Sequence, residues 1–178
     1  MIQFITGNAN KFVEVKAVLS ELEQLTLDLP EIQELDPHEI IRAKLEEARK
    51  HVHGEIMVED TSLYLEGMNE FPGPLIKWFL KSLGHEGIAR LVDRLDTDRA
   101  TAKTLIGYVD AQGSTHFFEG AIQGRMVHPR TTSSFSWDIF FIPDGHDKTF
   151  AEMSREEKNA ISMRRMAVEK LKAFLEQR

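Results

Sequence analysis

The sequence predicts an α/β domain built on a mixed β-sheet, and three observations carry that prediction. Residues 2–6 are an apolar run that passes at once into helical periodicity. Residues 101–109 and 115–126 alternate as two long antiparallel strands about Asp110-Ala111-Gln112-Gly113. Several amphipathic segments, the last over 155–177, supply helices to cover such a sheet.

Taken in order, the opening strand leads to a helix over 11–22, with Phe12, Val15, Val18, Leu19 and Leu22 at helical spacing. Residues 25–29 read as a second strand, closed by Pro30. Pro37 suits the first turn of a helix that Asp36 caps and that runs to about His51. Ile40, Ala43, Leu45, Ala48 and Val52 are its apolar face. Residues 56–58 form a short strand ending in Glu59-Asp60. Phe71-Pro72-Gly73-Pro74 breaks the chain before helices at 75–83 and 86–95, and 139–142 is a last strand. The overall order is β-α-α-β-α-α, a β-rich stretch and a terminal helix. No repeat, low-complexity tract or long linker interrupts the 178 residues, so one domain over 1–178 is expected.

Composition removes several classes of function. There are no cysteines, which excludes disulfides, thiolate metal sites and a cysteine nucleophile. The net charge of −7 and the lack of any basic run beyond Arg164-Arg165 argue against a nucleic-acid polymer as partner. No apolar stretch approaches the roughly 20 residues that span a bilayer, so no membrane partner is expected. The N-terminal residues carry no cationic-then-apolar leader, and a cytoplasmic location is the expectation. Of the 7 histidines, His51 and His53 lie near an expected helix end and the other five show no paired ligand spacing, which discounts zinc.

Three constellations carry possible chemistry. A strand running into Thr6-Gly7-Asn8-Ala9-Asn10-Lys11 and then a helix presents backbone N–H groups to an anion, with Thr6 and Asn8 as side-chain donors and Lys11 as a mobile charge. The plainer reading of that turn is a helix cap formed by Asn8. Glu31, Glu34 and the Glu59-Asp60 pair are carboxylates suited to magnesium shared with phosphate, or to activating a water. Most isolated surface acids, Glu34 among them, only solvate. Lys44 and Lys77 are candidate phosphate partners. Phe135 and Trp137, beside Ser136 and Asp138, can sandwich a base, with Lys158, Ser162 and Arg164 downstream; as a random pair, the aromatics are more often core.

In register along nearly the whole chain, these segments resemble the inosine triphosphate pyrophosphatase family, which hydrolyses deaminated purine nucleotides. The matching pieces are Thr6-Gly7-Asn8 with Lys11, Pro30-Glu31, Lys44, Val58-Glu59-Asp60-Thr61-Ser62-Leu63, Phe71-Pro72-Gly73-Pro74 and Ile76-Lys77-Trp78-Phe79. Phe135-Ser136-Trp137-Asp138, Pro143-Asp144-Gly145, Thr149-Phe150-Ala151-Glu152-Met153 and Glu157-Lys158-Asn159-Ala160-Ile161-Ser162 with Arg164 complete the set.

The resemblance implies an elongated ITPase-like (Maf-like) α/β fold: a long mixed sheet flanked by helices, two lobes with a nucleotide cleft between them, usually in a homodimer. It implies magnesium-dependent hydrolysis of a nucleoside triphosphate to the monophosphate and pyrophosphate. Thr6, Gly7, Asn8, Lys11, Lys44 and Lys77 would hold the triphosphate. Glu31 and Asp60 would hold the metal, and Asp60, with Glu59 and Lys11 beside it, would activate water. Phe135 would stack on the base, Ser136, Trp137 and Asp138 would line its pocket, and Lys158, Ser162, Met163 and Arg164 would address the base and phosphate side. Family members usually carry Ser-His-Arg where this chain has Ser162-Met163-Arg164, and glycine where it has Ser136. These departures gather at the base end and leave two alternatives: the same reaction with a different base preference, or a nucleotide-binding module without turnover.

Overall fold

The computed structural model describes residues 1–131 and 136–177. β1 (Ile2–Ile5) lies parallel to β2 (Leu22–Leu25) on one side and to the first residues of β3 (Ile56–Leu65) on the other. β4 (Pro72–Gly73) pairs antiparallel with the far end of β3 at Leu63 and Tyr64. On its opposite edge β3 runs antiparallel to β5 (Arg99–Val109) from Ile56 to Leu65. β5 pairs with β6 (Thr115–Met126), whose last residues meet β7 (Phe141–Pro143). The result is one mixed sheet of 7 strands, in the order β2-β1-β3-β5-β6-β7 with β4 beside β3.

Two faces and two lobes follow from the burial pattern. α1 (Ala9–Lys16) is capped by Asn8, whose side chain accepts from the backbone N–H groups of Asn10 and Lys11. α2 (Pro37–His51) is capped by Asp36, has proline in its first turn and Arg49, Lys50 and His51 in its last, in accord with the helix dipole. α3 (Ile76–Val92) is broken at Gly84, where φ is 63° and ψ 179°. α4 (Arg155–Ile161) starts with a capping box between Ser154 and Glu157, and α5 (Met163–Glu176) follows after one extended residue, Ser162. Ile41, Leu45 and Ala48 of α2 pack with Ile56 and Val58 on one face. Val15 of α1 and Ala167, Val168 and Leu171 of α5 pack with Phe4, Met57 and Ile106 on the other. A third cluster, with Leu63, Leu65, Ile76, Leu80, Trp137 and Phe140 among its members, is the core of the second lobe.

Several elements differ from their sequence reading, each for a tertiary reason. The helix expected over 11–22 stops at Lys16, because Leu22 is taken by the parallel ladder with Ile2. The second strand is therefore Leu22–Leu25, displaced from 25–29; Leu27 and Leu29, beyond the ladder, still pack with Leu25 against the α2 face. Glu59-Asp60 lies in mid-strand, since β3 continues to Leu65 beside β5. The strand at 139–142 is replaced by a short 3-10 turn, Trp137–Ile139, followed by β7. The terminal helix is divided at Ser162, whose hydroxyl accepts from the Arg165 N–H and so caps α5.

Candidate active site

The site arises where the sheet is incomplete. β1 reaches only Ile56 and Met57 of β3, and β4 covers only Leu63 and Tyr64 on the same edge. Between them, residues 58–62 of β3 have no neighbouring strand on that side among the described residues. The Glu59 carbonyl there accepts instead from Lys44 Nζ at 3.3 Å. Strand alternation then separates two adjacent acids. Glu59 follows Met57 toward α1 and α5, and Asp60 follows Val58 toward α2.

Each acid meets cations from its own face. Lys11 of α1 lies 2.6 Å from Glu59 Oε1, and Arg164 at the start of α5 donates from Nε to Glu59 Oε2 at 2.7 Å. Arg164 also donates to Thr61 Oγ1 at 3.3 Å and pairs with Glu14 of α1. The Glu59 side chain is only 2% exposed. Burial pushes its carboxyl up, but the charges of Arg164 and Lys11 prevail and hold it well below the usual carboxylate range. Burial likewise opposes the Arg164 charge, and Glu59 and Glu14 outweigh it, raising the guanidinium above its ordinary value. An acid so firmly ionised and engaged at both oxygens is a poor proton acceptor. Glu59, expected beside the catalytic carboxylate, is thus held between Lys11 and Arg164. On the other face Lys44 donates to Asp60 Oδ1 at 2.7 Å, and Asp60 keeps partial exposure to the cleft.

Two adjoining hollows share this region. The larger, about 960 Å³, has Lys11, Asp60, Lys77, Trp137 and Lys158 in its walls. The smaller, about 790 Å³, is lined by Thr6, Gly7 and residues 26–29, and both include Asn8, Lys11, Glu31, Lys44 and Lys77. Thr6 Oγ1 accepts from the Asn8 N–H at 3.1 Å, so the turn's oxygens serve the helix cap and its hydroxyl and amide hydrogens are its donors. A Cβ at Gly7 would meet nothing within 4 Å. This glycine answers no packing demand and leaves bare backbone facing the hollow.

The other end of the larger hollow contains the expected base-side residues in altered settings. Lys158 Nζ donates to Asp138 Oδ2 at 2.5 Å. Ser136 and Trp137 line the wall, and the indole packs edge-on against Phe141, 5.7 Å between centroids, as part of the second-lobe core. Ser162 and Met163 are buried, the former as a helix cap and the latter in the same core. Arg164, expected to address the base, is committed to Glu59 and Glu14. Phe135, the expected stacking residue, lies outside the described residues. Glu14, Trp78 and Lys81 also line the hollow and were not anticipated. Glu14 was legible as the residue one helical turn beyond Lys11 and Trp78 through its place in the Ile76–Phe79 motif, whereas Lys81 carried no signal apart from its proximity to Lys77.

A resident metal cage is not what these residues form. Among the described residues no group of three or more histidines or carboxylates converges as a metal site. Glu31 and Asp60 nonetheless line one hollow, each bound to a lysine and neither to the other. Two hard oxygen donors in a hollow that phosphate would enter fit a divalent cation shared between protein and substrate.

The Ham1 family model matches residues 2–174. Inosine triphosphate pyrophosphatase of Schizosaccharomyces pombe is 42% identical over 179 residues, covering 98% of this chain and 95% of that protein. The Saccharomyces cerevisiae protein of the same name is 40% identical over 189 residues, covering 99% and 96%. Among solved structures, the Staphylococcus aureus Ham1 protein superposes with a TM-score of 0.77 at 24% identity, covering 99% of both chains, which is a likeness of fold. A nucleoside-triphosphatase described as a dITP/XTP pyrophosphatase, from Mycobacterium abscessus, gives 0.70 at 25% identity, covering 98% of this chain and 99% of that one. The mixed sheet with its edge gap, the two lobes and these full-length matches agree: the chain belongs to the Ham1 family.

Proposed function

We propose that this protein is a metal-dependent nucleoside triphosphate pyrophosphatase that converts deaminated purine nucleotides such as ITP, dITP and XTP to the monophosphate and pyrophosphate. The observation that carries the reading is the gap in the β3 edge, where Asp60 sits beside Lys44 in the larger hollow, which meets the hollow of the Thr6–Asn8 turn at Asn8, Lys11 and Lys44. The homologues named inosine triphosphate pyrophosphatase support the same substrate class.

In this reading Thr6, Gly7 and Asn8 cradle the phosphates with backbone and side-chain hydrogens, and Lys11, Lys44 and Lys77 neutralise them. Asp60 orients a water toward the α-phosphorus and accepts its proton as pyrophosphate leaves. A divalent cation, which we take to be Mg²⁺, held by Glu31 and Asp60 would spread the charge that builds on the leaving group. Ser136, Trp137, Asp138 and Lys158 bound the base. A homodimer and a cytoplasmic location complete the proposal, resting on family resemblance. No described helix is long and apolar enough to cross a membrane.

A specific observation favours a second reading of the base preference. Met163 is apolar and buried, and Arg164 is forked between two carboxylates, so neither offers a free cation to the oxygen at purine position 6. Turnover of ITP, dITP and XTP beside the eight common nucleotides, read as phosphate after added inorganic pyrophosphatase, decides between them. Asp60→Asn should lower pyrophosphate release at least about 100-fold. Undiminished turnover in that variant removes Asp60 from its role, and no pyrophosphate from any nucleotide removes the reading altogether.

A further inference from the structure

Three lysines that face the phosphate hollow, Lys11, Lys44 and Lys77, are not standing ready for an anion. Lys11 is held by Glu59, Lys44 by Asp60 at 2.7 Å and Lys77 by Glu31. At the base end Lys158 is held by Asp138. The cleft is thus closed on itself by ion pairs whose partners come from different elements. A bare polyphosphate that takes Lys77 or Lys44 must leave Glu31 or Asp60 ionised beside its own negative charge. The net charge of the chain, −7, adds to that repulsion.

The pairs are not equivalent. Glu59 is fixed from a second side by Arg164 and is almost fully buried, so its pair with Lys11 is structural. Glu31 and Lys77 are more than half exposed, at 54% and 63%, and join the irregular segment after β2 to the start of α3 across the mouth of the hollow. Asp60 and Lys44 lie just inside it. The Lys77 hydrogen bond holds the Glu31 carboxyl below its usual range against a weaker push from burial, and Lys44 and Lys11 act in the same direction. Glu31 therefore sits in the field of all three lysines.

We propose that Glu31 and Asp60 act as locks on Lys77 and Lys44. They withhold the lysines from a polyphosphate that arrives without metal, and surrender them when a divalent cation takes the carboxylates. Metal and polyphosphate then enter by exchange of ion-pair partners: two carboxylate–lysine pairs are replaced by carboxylate–metal and lysine–phosphate pairs. The proposal rests on the pyrophosphatase reading and adds to it a selection for the metal-bound form of the substrate. A site with its lysines unpaired would bind bare polyphosphate in unproductive complexes.

Calorimetric titration of the full chain with inorganic pyrophosphate, in EDTA and in Mg²⁺, tests it without turnover. The wild-type protein should bind with Mg²⁺ and weakly without. Glu31→Gln should tighten metal-free binding about fivefold, the worth of one exposed ion pair, and narrow the gap between the two conditions. Asp60→Asn should shift binding in the same direction through Lys44. The gain from Glu31→Gln should vanish in a Lys77→Met background. Glu34→Gln is the control: Glu34 accepts from its neighbour's N–H, that of Leu35, at 2.7 Å and lines neither hollow, so its removal should leave both affinities unchanged. No tightening in Glu31→Gln, or equal tightening in Glu34→Gln, overturns the lock. If the wild-type protein fails to bind pyrophosphate even with Mg²⁺, the lock and the pyrophosphatase reading fall together. If it binds with Mg²⁺ and only the Glu31→Gln result fails, the reaction stands without the lock.

Discussion

Arg164 is the residue on which the site's geometry turns. Its guanidinium reaches Glu59 on β3, Glu14 on α1 and the Thr61 hydroxyl, and so ties both helices of one face to the strand that bears Asp60. A buried cation with two acidic partners contributes little net stability over an apolar packing, but removing it leaves the acids facing each other. Arg164→Met should therefore destabilise the fold by about 3–5 kcal/mol, measured by urea unfolding at neutral pH. Combining it with Glu59→Gln should cost much less than the sum, because the second change relieves the charge stranded by the first. A loss below about 1 kcal/mol for Arg164→Met would mean water reaches these groups and the network is not buried in solution. Sequence alone marked Arg164 and Glu59 as important residues. Their contact with each other was not legible, because 105 residues separate them and only the fold brings them together.

At the scale of elements, the approach of α5 to the sheet sets where that guanidinium begins. The helix crosses β6 at Gly120, where a Cβ would stand 1.9 Å from the Met163 carbonyl oxygen and 2.7 Å from the Ala167 nitrogen. Those are backbone atoms and cannot swing aside. Gly120→Ala should lift the first turn of α5, destabilising the protein by at least about 2 kcal/mol and lowering turnover through the displaced Arg164. Thermal and urea unfolding measure the first effect, and pyrophosphate release under conditions where the variant is fully folded measures the second. Ser162→Ala, which removes only the α5 cap, should cost about 1 kcal/mol. The helix itself was legible from its apolar period. Its division at Ser162 was not, because a serine at that position is an acceptable helix residue until the chain on either side packs in two directions.

Across the whole molecule, the strands run through both lobes. β3 gives Val58 to one core and Leu65 to another, and β5 gives Ala102 to the second lobe and Leu105 to the first. We propose that the chain is accordingly one domain in the thermodynamic sense. Far-UV circular dichroism, which sees all helices, and tryptophan fluorescence, which sees Trp78 and Trp137 beside the second-lobe core, should report one coincident urea transition. Separate midpoints would mean that the lobes unfold independently. Much of this molecule could be read from residue order: the α/β class, the long antiparallel pair, the helix from Pro37 and the family through its motifs, since local periodicity and short recognition sequences survive without tertiary context. The end of α1, the true position of β2, the gap in the β3 edge and the ion pairs that hold Lys11, Lys44 and Lys77 belong to the folded chain. They depend on which strand pairs with which and which face each side chain takes, and these are settled by contacts between residues far apart in sequence.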